Sequence, residues 1–189
     1  VFLIRYALKV TPLIFIVAFL GFSLIRTQIF GKYKKKSNRR RERLLLLFAT
    51  YALWLAFFLL VNNRLLESWG VPLGVDTESS DWQLNLIPFK TIRLFIQYGT
   101  PSSIFLNLWG NILIGIPLGF LTPVLFEKMK KPLPLFLTYG LIFFAIESVQ
   151  YHIGRSADID DWLLNMGGIA VGYLLSKRQE IFHPKRYRR

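Results

Sequence analysis

The sequence has no cysteine and only two histidines, His152 and His183, among 189 residues. Disulfides, thiolate metal sites and cysteine nucleophiles are therefore excluded, and a histidine-rich metal centre is disfavoured. Acids are scarce as well: 11 stand against 24 Lys and Arg, a formal net charge of +13. A surplus of that size can mark a nucleic-acid binder, but here the basic residues form short runs between long apolar stretches. In that arrangement Lys and Arg report membrane topology, and no nucleic-acid partner is expected. A Gly-rich phosphate loop ending in Lys is also missing, which disfavours a nucleotide-driven role.

What the chain has instead is apolar length, with 53% hydrophobic and 16% aromatic residues. The expected fold is an all-α integral membrane protein, one domain over 1–189, with a bundle of about five transmembrane helices. The spans are expected near 10–30, 44–61, 104–126, 133–151 and 162–176. The last is short for a crossing, so local thinning or flanking interfacial residues would have to help. Between the second and third, Pro88 opens a segment in which Phe89, Ile92, Phe95 and Ile96 share one helical face. Lys90, Arg93 and Gln97 occupy the other. An interfacial or re-entrant helix is expected near 88–97, because the segment is too short to span.

Charge sets the expected orientation. Place the 31–43 loop, the 127–132 turn and the tail on the cytoplasmic side. Of the 24 Lys and Arg, only Arg5, Lys9, Arg64, Lys90, Arg93 and Arg155 then lie outside. Of the 11 acids, only Glu42, Glu127 and Glu180 lie inside. The N-terminus is expected outside and the C-terminus inside.

That orientation gathers polar residues from separate stretches at the outer face. Asn107 and Asn111 stand one turn apart, and Gly115 and Gly119 follow them with room for close packing. Glu147 lies within the fourth apolar segment, roughly 7 Å from its polar end at 1.5 Å per residue. Gln150 and Tyr151 share its face. A turn then carries Arg155, Asp158, Asp160 and Asp161, and Asn165 follows Asp161 by four residues. If the turn is helical, Arg155, Asp158 and Asp161 form one polar stripe. Gly167, Gly168 and Gly172 give the last segment a slim side. An acid within an apolar span either pairs structurally or marks a functional site, and here Glu147 or Asp158 could neutralise Arg155.

At these residues the sequence resembles the VanZ-like family of bacterial membrane proteins. The likeness is carried by NLIPF at 85–89, NLWGNILIGIPLGFLTP at 107–123, ESVQ at 147–150 and GRSADIDDWLLNMGG at 154–168. It covers about 80–176, in the family's order and spacing. The resemblance implies a multispan protein of the bacterial cytoplasmic membrane. It also implies a link to reduced susceptibility to the lipoglycopeptide teicoplanin.

Two functions fit these residues. One is recognition of a lipoglycopeptide or a lipid-linked envelope precursor at the outer membrane face. Arg155 would hold a phosphate or carboxylate, and Asn107, Asn111, Gln150 and Asn165 would supply hydrogen bonds. The other is an enzyme acting on a lipid-linked substrate. Glu147, with its pKa raised by desolvation, would be the general acid or base, assisted by Asp158 and Asp161. No metal site is expected, although Asp158 with Asp161 or Asp160 offers oxygen ligands to a divalent cation. Membrane lipids are the remaining expected partners. A transporter ranks last, since no internal repeat is apparent.

Overall fold

In the computed structural model the described residues are 2–31, 37–60, 84–152 and 156–182. Arg155, the acids between 76 and 81 and the basic tail beyond 182 lie outside them. The chain divides into two compact units, Val1–Phe58 and Leu59–Arg189.

The first unit is a helical hairpin of α1 (Phe2–Gln28) and most of α2 (Arg39–Leu60). Near one end the Trp54 indole donates to Thr11 Oγ1 at 3.1 Å, and near the other Arg26 forks onto Glu42 at 2.7 and 2.9 Å. The order of those contacts makes the helices antiparallel. Phe15 and Phe58 flank Trp54 with ring centroids 6.1 and 5.6 Å away. The Arg26 and Glu42 side chains are only 12% and 18% exposed, so their bidentate pair is shielded from solvent competition. Glu42→Gln is expected to destabilise this hairpin by about 1–2 kcal/mol. Thermal unfolding in detergent micelles would read this as a lowered midpoint, and Arg26→Met in the same chain should restore part of it.

The second unit contains β1 (Leu84–Asn85), α3 (Lys90–Tyr98), α4 (Pro101–Leu125), α5 (Pro132–His152), β2 (Ala157–Asp158) and α6 (Ile159–Phe182). Helix α4 is opened by Thr100, whose hydroxyl accepts from Ser103 N, with Pro101 at the first helical position. It contains a five-residue π-helical stretch, Phe105–Trp109. The short strands pair in parallel, Leu84 with Ala157 and Asn85 with Asp158.

Helices α4 and α6 run parallel and meet at their glycines. A Cβ on Gly115 would strike the Asn165 carbonyl, and one on Gly119 the Ile169 carbonyl. A Cβ on Gly168 would strike the Ile112 carbonyl, and one on Gly172 the Ile116 carbonyl. Two backbones this close interact through dispersion and Cα–H···O contacts, as expected where lipid supplies no hydrophobic drive. Gly167 takes no part, since a Cβ added there would meet nothing within 4 Å. Helix α5 runs back antiparallel, with the Trp162 indole donating to the Gly140 carbonyl and the Tyr173 ring edge-on to Phe136. Leu135, Phe143 and Ile169 are buried in this unit, and Thr122 hydrogen-bonds the Tyr139 hydroxyl.

Among the described residues four helices are long and apolar enough to cross a membrane: Thr11–Gln28 within α1, Arg39–Leu60, Pro101–Leu125 and Pro132–His152. They match four of the five expected spans to within a few residues. Many of their outward side chains are apolar, among them Leu13, Leu113 and Leu141, as a hydrocarbon environment requires. The fifth expected span differs. It is the centre of the 24-residue α6, roughly 36 Å long, which continues past the apolar segment at both ends. Asp160 and Asp161 at one end and Lys177 and Arg178 at the other keep α6 out of the set apolar enough to span. The 156–161 stretch is not one helix either: Asp158 is extended in β2, and helical structure starts at Ile159. The helical stripe expected through Arg155, Asp158 and Asp161 is therefore broken at Asp158.

Candidate functional site

One end of the second unit gathers the start of α4, the end of α5, the start of α6 and all of α3. Asp160 is the centre of this end and is fully buried. Its carboxylate accepts from the backbone N–H of Phe89, of Thr91 at 2.8 Å and of Ile92 at 3.1 Å. Those are the orphan donors at the first turn of α3. The residue at the N-cap position is Phe89, which has no side-chain acceptor and sits in the left-handed region at φ 65°. An acid about seventy residues away in sequence thus caps α3. Its negative charge also suits the positive end of that helix.

Asp158 extends the network. Its Oδ1 accepts from Asp160 N at 2.9 Å, which starts α6, and from Asn85 Nδ2 at 2.9 Å. Asn85 Nδ2 also donates to Thr91 Oγ1, and Asn85 Oδ1 accepts from Ile87 N. Half-buried Glu147 accepts from Asp158 N at 3.2 Å. Asp161 accepts from the Asn111 amide, joining α6 to α4. Asn111 Nδ2 also reaches the Asn107 carbonyl, and Asn107 Nδ2 the Ser103 carbonyl, both along the π-helical turn. Such π turns recur at functional sites. Asn165 donates to the Asp161 carbonyl, and its buried Oδ1 has no hydrogen-bond partner among the described residues. Gln150 is buried and donates to the Leu59 carbonyl at 2.9 Å.

The structure therefore brings Glu147, Asp158, Asp161, Asn111 and Asn165 into one region, with Asn107 one turn along α4. Gln150 is turned toward a backbone carbonyl, and Arg155 lies outside the described residues. Among the described residues no three His, Asp or Glu side chains converge as metal ligands. Sequence reasoning missed Asp160 as the cap. The available signal was the lack of Ser, Thr, Asp or Asn immediately before Lys90, which left three N–H groups to be met from elsewhere.

A pocket of about 150 Å³ opens beside this network, between α3 and the β2 edge. Asn85, Lys90, Thr91, Leu94, Ser156 and Asp158 contribute its walls. Arg155 is the residue preceding Ser156. At the opposite end of the same unit stand Glu127, Lys128, Lys130 and Lys131, with the Tyr173 hydroxyl donating to the Lys130 carbonyl. The VanZ/LLP1 family model matches residues 10–183, nearly the whole chain. The chain belongs to the VanZ/LLP1 family. The match extends well beyond the 80–176 region that carries the resemblance in sequence, taking in both helices of the first unit. No curated protein and no solved structure matched the chain. As a VanZ/LLP1 member with four membrane-spanning candidates, this is a membrane protein of the cell envelope.

Proposed function

We propose that this VanZ/LLP1 protein recognises a lipoglycopeptide or a lipid-linked envelope molecule at the outer membrane face, and so contributes to teicoplanin-type resistance. The observation that supports this most is the pocket beside the Asp160 cap, where hydroxyl, amide, carboxylate and ammonium groups converge. Mixed donors and acceptors of this kind suit a polar head more than an apolar chain. Arg155 supplies the bidentate anion contact, and Asn111 ties α4 to α6 through Asp161. The basic end with Lys128, Lys130 and Lys131 faces the cytoplasm in this reading, which leaves the acidic end outside.

The test is binding of the full chain in lipid nanodiscs to teicoplanin and a panel of envelope lipids, with recovered ligands weighed by mass spectrometry. Binding should fall about tenfold or more in Arg155→Ala, and ligands should return unchanged in mass. Equal binding by Arg155→Ala would overturn the reading. A second reading follows from Glu147, which is half-buried and sits on the Asp158 backbone beside the pocket. If recovered ligands change mass, and Glu147→Gln abolishes that change, the protein is an enzyme with Glu147 as general acid or base.

A further inference from the structure

The pocket wall formed by α3 is not uniform. Lys90, Thr91 and Leu94 face it, and Tyr98 lies one turn beyond Leu94 on the same strip of helix. Ile92 and Phe95 are half-buried on another side, whereas Leu94 and Tyr98 are exposed, Tyr98 at 81%. An apolar strip thus starts at a polar pocket and runs toward Gly99, Thr100 and Pro101. Pro101 is the first residue of a helix able to span the membrane. A polar head and an apolar track leading to the bilayer together describe an amphiphile.

The polar groups narrow its head. Among the described residues exposed Lys90 is the cation of the wall, with exposed Arg93 one turn along α3. Among the described residues Asp158 is the one carboxylate on the wall, and its Oδ1 is engaged by two N–H donors. Its remaining lone pairs can accept from a hydroxyl, and the Thr91 and Ser156 hydroxyls can donate or accept. A bare anion would meet Asp158 unfavourably, and a neutral sugar would leave Lys90 unmatched. A zwitterion would leave Arg93 unmet.

We infer that the pocket takes an anionic, hydroxyl-bearing lipid headgroup of the phosphoglycerol kind, with the acyl chain along Leu94 and Tyr98. The inference rests on reading this end as a recognition site at the membrane face. Lys90 holds the phosphate, and Asp158 with Ser156 holds the glycerol hydroxyls.

The full chain in a neutral detergent would be titrated calorimetrically with four dihexanoyl lipids: phosphatidylglycerol, phosphatidic acid, phosphatidylethanolamine and phosphatidylcholine. Free glycerol phosphate separates a soluble phosphate ligand from a lipid one. Phosphatidylglycerol should bind about tenfold tighter than the other three, and Lys90→Gln should lose about tenfold of that affinity. Tyr98→Ala should weaken the lipid and leave glycerol phosphate unaffected. Equal affinity for all four lipids, glycerol phosphate binding as tightly as the lipid, or an unchanged Lys90→Gln would each overturn it. If none of these lipids binds while a member of the envelope panel does, this inference fails alone. If the panel fails as well, the recognition reading fails with it.

Discussion

Gly168→Leu is expected to prevent assembly of the second unit, whereas Gly167→Leu, one residue away, is expected to be tolerated. At Gly168 the first added carbon already meets the Ile112 carbonyl and lies 2.9 Å from Gly115 Cα. Both obstacles are backbone, so no rotamer change relieves them. Overpacking against side chains costs about 1–3 kcal/mol, and against two fixed helices the cost should exceed about 3 kcal/mol. Gly167 has open space where its side chain would grow. The pair therefore separates helix contact from any general intolerance of bulk in α6. Size-exclusion profiles and thermal melts in detergent would read the difference. Similar behaviour of the two variants would contradict the parallel packing of α4 on α6.

Asp160→Ala is expected to release α3 without dismantling the α4–α6 contact. The substitution removes a fully buried carboxylate that accepts from the N–H groups of Phe89, Thr91 and Ile92. Each unsatisfied buried donor costs about 1–3 kcal/mol, so the docked state of α3 loses roughly 3 kcal/mol or more. That exceeds what a nine-residue helix can recover by itself. Asp160→Asn should be less damaging, because the amide keeps one oxygen able to serve two of the three N–H groups and turns its NH2 donors on the third. Hydrogen exchange over 89–98 should accelerate by about a hundredfold or more, while exchange over 112–122 stays slow. Unchanged protection at 89–98 would mean that Asp160 does not hold α3.

Much of the fold was legible because apolar length and basic punctuation act locally. The runs at 10–30, 44–61, 104–126 and 133–151 are long enough to declare themselves, and each is a helix within a few residues of the expected ends. The slim faces at Gly115, Gly119, Gly168 and Gly172 were also legible, since small residues on a membrane helix have few uses besides close approach. Gly167 was not separable from Gly168 without knowing which face met α4. The short helix at 88–97 was found from its two-sided pattern, one residue or two from its observed Lys90–Tyr98 bounds.

The site was legible only as a gathering of polar residues. Glu147, Asp158, Asp161, Asn111 and Asn165 do meet, but their partners are set by tertiary structure. Asp158 and Asp161 differ by three residues and would share a helical face. A strand pairing with Asn85 instead places Asp158 outside the helix and gives the buried position to Asp160. That exchange of roles depends on a segment about seventy residues upstream, and no local pattern in the acidic turn encodes it. Lys90 and Ser156 were invisible for the same reason. Neither is unusual in its own stretch, and only the approach of β1 to β2 puts both on one pocket.

The central claim is that this pocket, at the acidic end of the second unit, engages a specific envelope amphiphile. The most direct measurement places a photoreactive benzophenone amino acid at Leu94 and, separately, at Leu113. Leu113 is half-exposed on a membrane-spanning helix and serves as the bulk-lipid reference. Both chains would be irradiated in intact cells, purified and analysed for adduct masses. The account predicts one dominant amphiphile on Leu94, different from the mixture on Leu113, and its loss when Arg155→Ala is added. The same bulk-lipid mixture at both positions would contradict it.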